Sequence, residues 1–187
     1  MKRILCLAVL AIVAFVAPAF AANQPDKSGE IGFDLAQANV NNSDSTGIDT
    51  AQFLGVRGGY QINPQFQIEG QIASSSENGS IAGTDVDTKM RLYMVNGVMN
   101  FHPRKKEYVP YVMAGIGRAD IQVDSTGASA SDNSVAYQIG GGTRIFFGKT
   151  QRMAFRTDVS LLRENTFSSS TTFTTVTAGM TWKLGGR

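Results

Sequence analysis

Gln65-Phe-Gln-Ile-Glu-Gly-Gln-Ile72 alternates without a break between two kinds of side chain. In an extended chain Phe66, Ile68, Gly70 and Ile72 share one face, and Gln65, Gln67, Glu69 and Gln71 share the other. A period of two marks a strand between two different environments; a helix, with its period of 3.6, would scatter both sets around its axis. Outward from this stretch the same pattern recurs. Ile31, Phe33 and Leu35 alternate with Glu30, Gly32 and Asp34, and Tyr137, Ile139 and Ile145 alternate with Gln138, Gly140, Gly142 and Arg144. Val176, Ala178, Met180 and Trp182 alternate with Thr177, Gly179, Thr181 and Lys183. The alternation predicts an all-β chain with strands over 30–38, 51–60, 65–74, 86–100, 108–123, 134–147, 152–163 and 172–184. It blurs near Asn96 and Arg118, where a bulge or phase slip is expected.

The connections come in two kinds. Gln61–Pro64, His102–Glu107 and Gly148–Gln151 are short turns carrying Pro, Gly or charge. Asn39–Thr50, Ser74–Asp85, Asp124–Asn133 and Glu164–Thr171 are longer and rich in Ser, Thr, Asn and Gly. This rhythm fits an eight-stranded antiparallel up-and-down transmembrane β-barrel, with short turns facing the periplasm and longer loops outside. The aromatic residues point the same way. Tyr60, Phe66, Tyr108, Tyr111, Phe147, Phe155 and Trp182 lie within a few residues of the short turns or the C-terminus and read as membrane-interface aromatics. Phe53, Tyr137, Phe167 and Phe173 lie near the longer loops. Swapping inside for outside preserves the alternation, so a soluble carrier with its apolar face inward is the rival fold. A carrier would leave those aromatics in water, and the membrane barrel would not.

The first 22 residues read differently. Lys2 and Arg3 precede an uncharged apolar run, Ile4 to Ala17; Pro18 ends it, and Ala19-Phe-Ala-Ala22 supplies the small residues of a cleavage site. This is the layout of a secretory signal cut after Ala21 or Ala22, leaving 23–187 as one barrel domain. The signal removes two of 17 basic residues and none of 15 acidic ones, so the mature chain is neutral. Neutrality argues against a nucleic-acid partner. The signal also removes Cys6, the one cysteine, and with it any disulfide or thiolate chemistry.

Little else suggests catalysis. His102 is the one histidine and stands beside Pro103 in a turn, so it cannot serve as a base oriented by a second group or as part of a histidine metal site. Asn42-x-Asp44-x-Thr46-Gly47 begins like a calcium loop, but its twelfth position is Phe53 rather than glutamate. No catalytic residue, metal or cofactor is expected. The informative set is ionic: Arg57, Glu69, Arg91, Arg144, Arg156, Asp158 and Lys183 fall on the polar faces of their strands. A turn centred near 62–63 would set Arg57 opposite Gln67 or Glu69, and a loop centred near 80 would set Glu69 opposite Arg91. Arg144 would face Arg156 with Asp158 diagonally beside both. In a narrow lumen these charges form either a structural plug or a charged constriction.

Four stretches carry a family likeness: Arg57-Gly-Gly-Tyr-Gln-Ile-Asn-Pro-Gln-Phe66, Tyr108-Val-Pro-Tyr-Val-Met-Ala-Gly-Ile-Gly117, Val135-Ala-Tyr-Gln-Ile-Gly-Gly-Gly-Thr-Arg-Ile-Phe-Phe147 and Thr177-Ala-Gly-Met-Thr-Trp-Lys-Leu184. In order and spacing they resemble the small OmpA-like outer-membrane β-barrel family. The resemblance implies the outer membrane of a Gram-negative bacterium, reached through the periplasm. It implies lipopolysaccharide and membrane lipids as surroundings, the barrel assembly machinery as a partner, and an extracellular partner not specified by sequence. Such barrels usually end on an aromatic residue, whereas this chain ends Trp182-Lys-Leu-Gly-Gly-Arg187, a departure that bears on the efficiency of assembly more than on the fold. The expected role is structural or surface-interacting; a small-solute channel with a charged lumen is the alternative.

A closed barrel offers detergent no free strand edge and unfolds slowly. The folded protein is therefore expected to resist SDS at room temperature and to shift its gel mobility on boiling. Identical migration of heated and unheated samples would count against the closed barrel.

Overall fold

The computed structural model describes residues 28–40, 50–81, 84–101, 107–125, 128–148, 150–166 and 169–184. The proposed signal, His102, the Asn42–Gly47 stretch, Phe167 and Gly185–Arg187 lie outside the described residues. Eight strands follow one another: β1 (Ser28–Val40), β2 (Thr50–Gln61), β3 (Phe66–Ile81), β4 (Thr84–Asn100), β5 (Tyr108–Ser125), β6 (Ala128–Phe147), β7 (Met153–Thr166) and β8 (Ser169–Leu184). Each pairs antiparallel with its chain neighbour, and β1 also pairs with β8, from Gly29↔Leu184 to Val40↔Phe173. Closure gives every strand two partners, so no ladder edge is left open.

The turns at the lower rim are built locally. Between β2 and β3, the Asn63 side-chain oxygen accepts hydrogen bonds from the Gln65 and Phe66 amides at 2.9 and 2.8 Å, and Ile62 N–H donates to the Phe66 carbonyl at 2.9 Å. Asparagine closes such turns because its short side chain substitutes for a backbone acceptor. Gly148, at φ 83°, begins the β6–β7 turn in the left-handed region that glycine tolerates.

At the opposite rim the strands run much further than their sequence suggests. Ser74–Asp85, Asp124–Asn133 and Glu164–Thr171, expected as loops, are mostly strand: β3 pairs with β4 through Ile81↔Thr84, β5 with β6 through Ser125↔Ala128, and β7 with β8 through Thr166↔Ser169. Strands β3 to β6 reach 16, 17, 18 and 20 residues. A tilted strand needs only about 9–11 to cross hydrocarbon. The bulge expected near Asn96 and Arg118 is absent, because β4 and β5 pair in one unbroken register from Val86↔Ser125 to Asn100↔Tyr111. The blur there has a different cause: both faces of the wall change character.

In the lower part of the barrel apolar residues point outward, among them Ile68 and Ile72 on β3, Val95 on β4, and Val112 and Ile116 on β5. Gln67, Glu69, Gln71, Asn96 and Tyr111 point inward and are buried. Higher up the order reverses. The outward row continues as Ser74 and Ser76, Arg91 and Lys89, Arg118, Asp120 and Gln122. The inward row becomes Phe53, Ala73, Met94, Leu92, Met90, Leu162 and Phe173, a contiguous buried apolar cluster. The expectation of a polar face along the whole lumen therefore holds only for the lower part. A wall in hydrocarbon puts apolar atoms outside; a wall in water buries them inside.

This inversion makes a directional prediction. Ile68→Arg places a charge on the lipid face and should destabilise the fold in vesicles by about 2–4 kcal/mol. Ser76→Arg, on the same face but above the reversal, should change stability by less than about 0.5 kcal/mol. Leu92→Ala, inside the upper section, should cost about 2–5 kcal/mol. Urea titrations of the three variants check this; equal penalties for Ile68→Arg and Ser76→Arg would refute the reversal.

Candidate functional site

Inward side chains of seven strands meet in the lower lumen. Glu69 on β3 is the hub. Its Oε1 accepts hydrogen bonds from Arg144 Nη2 at 2.6 Å, Arg156 Nη1 at 2.7 Å and Gln67 Nε2 at 3.0 Å. Its Oε2 stands 3.6 Å from Arg57 Nη1. Arg57 in turn donates from Nε to Asp34 on β1, and Arg144 Nη1 donates to the Asn100 side chain on β4 at 2.6 Å. The Arg144 Nε lies 3.3 Å from Glu30 Oε1. Glu69 and Arg156 are 1 % and 0 % exposed at their side chains, so every one of these charges depends on a partner rather than on water.

Two like charges face each other in this cluster, since Arg144 and Arg156 are direct cross-strand partners. Glu69 bridges them, and Tyr111 packs against both. Both guanidinium carbons lie over the Tyr111 ring, at 4.7 and 4.5 Å from its centroid, within cation–π range. The Tyr111 hydroxyl accepts from Arg156 Nε at 2.6 Å and donates to Asp158 Oδ2 at 2.8 Å. Glycine makes the room. A Cβ on Gly142 would come within 2.7 Å of the Tyr111 hydroxyl and 2.6 Å of the Asp158 Cβ. The four carboxylates Glu30, Asp34, Glu69 and Asp158 confront Arg57, Arg144 and Arg156, all buried. Lys183, half-buried beside Glu30 in register and 4.6 Å over the Phe146 ring, brings the described set to neutrality.

The structure thus brings Arg57, Glu69, Arg144, Arg156 and Asp158 together and sets Lys183 at the lower rim. Three expectations are corrected. Arg91 is not in the lumen: Glu69 pairs with Asn96, and Arg91 pairs with Ser74 and points outward among polar residues. The β3–β4 hairpin turns between Ile81 and Thr84 rather than near 80, and an odd shift in register moves every β4 side chain to the other face. Tyr111 is not an interface aromatic. It is 2 % exposed and belongs to the ionic cluster, whereas Tyr108, three residues earlier, points outward. Tyr60, Phe66, Phe147 and Phe155 also point outward, and Trp182 does so in edge-on contact with Phe33, 6.3 Å between centroids. Phe53, Phe146 and Phe173 are buried inside. Arg57 pairs in register with Gln71, not with Gln67 or Glu69, and reaches Glu69 by its length. Sequence reasoning missed Glu30, Asp34, Asn100 and Tyr111 as members. The alternation placed Glu30 and Asp34 on a polar face, but their partners come from strands far along the chain.

Side chains of this kind can hold a closed wall together. Comparison with known proteins agrees with that architecture. Among solved structures, neisserial surface protein A superposes with a TM-score of 0.70 at 14 % identity, covering 83 % of this chain and 97 % of its own. Ail, the attachment invasion locus protein of Yersinia pestis, gives 0.53 at 16 % identity, covering 84 % and 97 %. The N-terminal barrel domain of Pseudomonas aeruginosa OprF gives 0.52 at 12 % identity, covering 83 % and 99 %. At such identities the likeness is one of fold. No curated protein sequence matches the chain. Residues 7–183 match the outer membrane protein beta-barrel domain, and the chain belongs to that family, whose place is the Gram-negative outer membrane.

Proposed function

We propose that this barrel serves a structural or surface-interaction role without catalysis or conduction. In this reading the chain is exported, loses residues 1–22, is folded by the barrel assembly machinery and carries a short, stiff, water-facing section above the membrane. The observation that carries the reading is the filled lumen. The largest fully buried side chains, Arg144, Arg156, Glu69, Val98 and Asn96, all occupy the barrel's interior. Above them the apolar cluster from Phe53 to Phe173 occupies the upper lumen. An ion would have to break a self-neutralised ionic cluster and then pass the buried apolar cluster above it. The upper section supports a surface role, because its outward residues are polar and project beyond the apolar band.

Two measurements on one pair of proteins test this. In planar bilayers the wild type is expected to pass almost no current. Glu69→Ala leaves Arg57, Arg144 and Arg156 facing one another and should lower folding stability by about 3–5 kcal/mol, read as a reduced urea midpoint. Steady wild-type conductance, with Glu69→Ala changing selectivity at unaltered stability, would replace the plug with a channel. Surface placement is checked on whole cells with single cysteines: Ser76→Cys should react with a membrane-impermeant maleimide, and Val95→Cys should not.

A further inference from the structure

The charges just above the apolar band are distributed unevenly around the wall. On β8, β1, β2 and β3 the outward residues at the reversal are Thr174, Gln37, Gln52 and Ser74, all neutral. Arg163 stands outward on β7; on β4 and β5 the outward residues are Arg91, Lys89 and Arg118. The three cations on β4 and β5 line one shallow depression of about 170 Å³, together with Asp120 and Asp132. Arg118 pairs with Asp120, but both side chains are open to water, 60 % and 36 % exposed, and such a pair contributes little. It leaves Arg118 available to a stronger anion.

Directly below, across β2 to β5, the wall is hollowed. Gly58 and Gly70 are cross-strand partners that point outward, and a Cβ built on Gly58 would meet nothing within 4 Å. Around them lies an open, mainly apolar groove of about 470 Å³, walled by Ile72, Tyr93, Val95 and Ile116. The register joins the two features: Ile72 pairs with Tyr93, Tyr93 with Arg118, and Ser74 with Arg91. A molecule lying against β3, β4 and β5 would meet hydrocarbon surface below and guanidinium groups above, with Tyr93 at the junction.

We propose that this face is a built site for one phosphorylated glycolipid of the outer leaflet, with an acyl chain in the Gly58–Gly70 groove and phosphate held by Arg91 and Arg118. Guanidinium suits the headgroup because it offers paired N–H donors to phosphate oxygens. The groove suits the chain because glycine leaves a trough that a larger side chain would fill. The inference rests on the outer-membrane reading above, and it adds a particular ligand class and a particular side of the barrel.

The test uses the folded full chain in detergent micelles, with bisphosphorylated lipid A and the same lipid stripped of phosphate as probes, and native mass spectrometry as the readout. The phosphorylated probe should bind at least about tenfold more tightly than the stripped one. The double variant Arg91→Gln/Arg118→Gln should erase that preference, and Gly70→Leu should weaken both probes by filling the groove. The pair Gln37→Ala/Gln52→Ala, on the neutral side, should leave binding unchanged. Equal retention of the two probes overturns the proposal, as does an unaltered preference in the arginine double variant. Arginine-dependent binding of a soluble polysulfated sugar in preference to lipid A would also overturn it, assigning the cluster to a surface glycan instead. A boiling-dependent gel shift is read on every sample. Its loss in the wild type would refute the outer-membrane barrel itself, a failure separable from that of the lipid site.

Discussion

The constraint on which this molecule turns is that each strand passes between two solvents along its own length. In hydrocarbon the outer surface must be apolar, and every backbone polar group must be paired within the wall. The continuous ladders, including the closing β1–β8 pair, meet the second demand. Once the wall leaves hydrocarbon the first demand reverses. Outward Leu54 gives way to Gln52 on β2, and outward Ile116 to Arg118 on β5. Inside, Arg57 gives way to Phe53, and Asn96 to Met94, Leu92 and Met90. Both faces reverse together because a strand that is apolar on both sides, or polar on both, would have no preferred register against its neighbours.

The ionic cluster follows from this. A lower section that faces lipid outside could be apolar inside as well, and well-packed apolar residues are often more stabilising than a buried ion network. Such a wall would lose its period-two pattern, and a one-residue slip of any strand would cost nothing. With Glu69 bridging Arg144 and Arg156, a slip would turn an unpaired charge into lipid. The cluster therefore contributes specificity of register as well as stability. Its width is set by small residues on the same faces. Gly142 admits Tyr111 and Asp158, and a Cβ on Gly179 would collide with the Asp34 carboxylate.

How much of this can be read from sequence depends on the range of the interaction. The strand type, the number of strands and the lower-rim turns are local, and Gln65–Ile72 displays its two faces openly. The partners in the lumen are not local. Glu69 meets Arg156 across 87 residues of sequence and Arg144 across 75, because the barrel is narrow enough for strands that share no ladder to touch. Arg91 misleads for a simpler reason: its facing follows from the parity of the β3–β4 turn, and a Ser-, Asn- and Gly-rich segment that continues as strand looks like a loop. Tyr111 misleads because nearness to a turn says nothing of facing. Tyr108 and Tyr111 are an odd number of residues apart and so must lie on opposite sides of the wall.

The extended upper section also changes where recognition can occur. Three connections at that rim, 82–83, 126–127 and 167–168, leave two residues each between paired strands. Surface available to a ligand or partner is thus supplied largely by strand faces, whose side chains are spaced by the ladder and held from behind by Met90, Leu92, Leu162 and Phe173. A face of this kind loses little conformational entropy on binding, because the backbone presenting each group is already ordered. It also fixes the spacing between cations such as Arg91 and Arg118, which sit on neighbouring hydrogen-bonded strands. The apolar core inside the upper wall and the polar groups outside it are two consequences of the same change of solvent. Any surface function of this barrel therefore rests on the packing that closes its lumen.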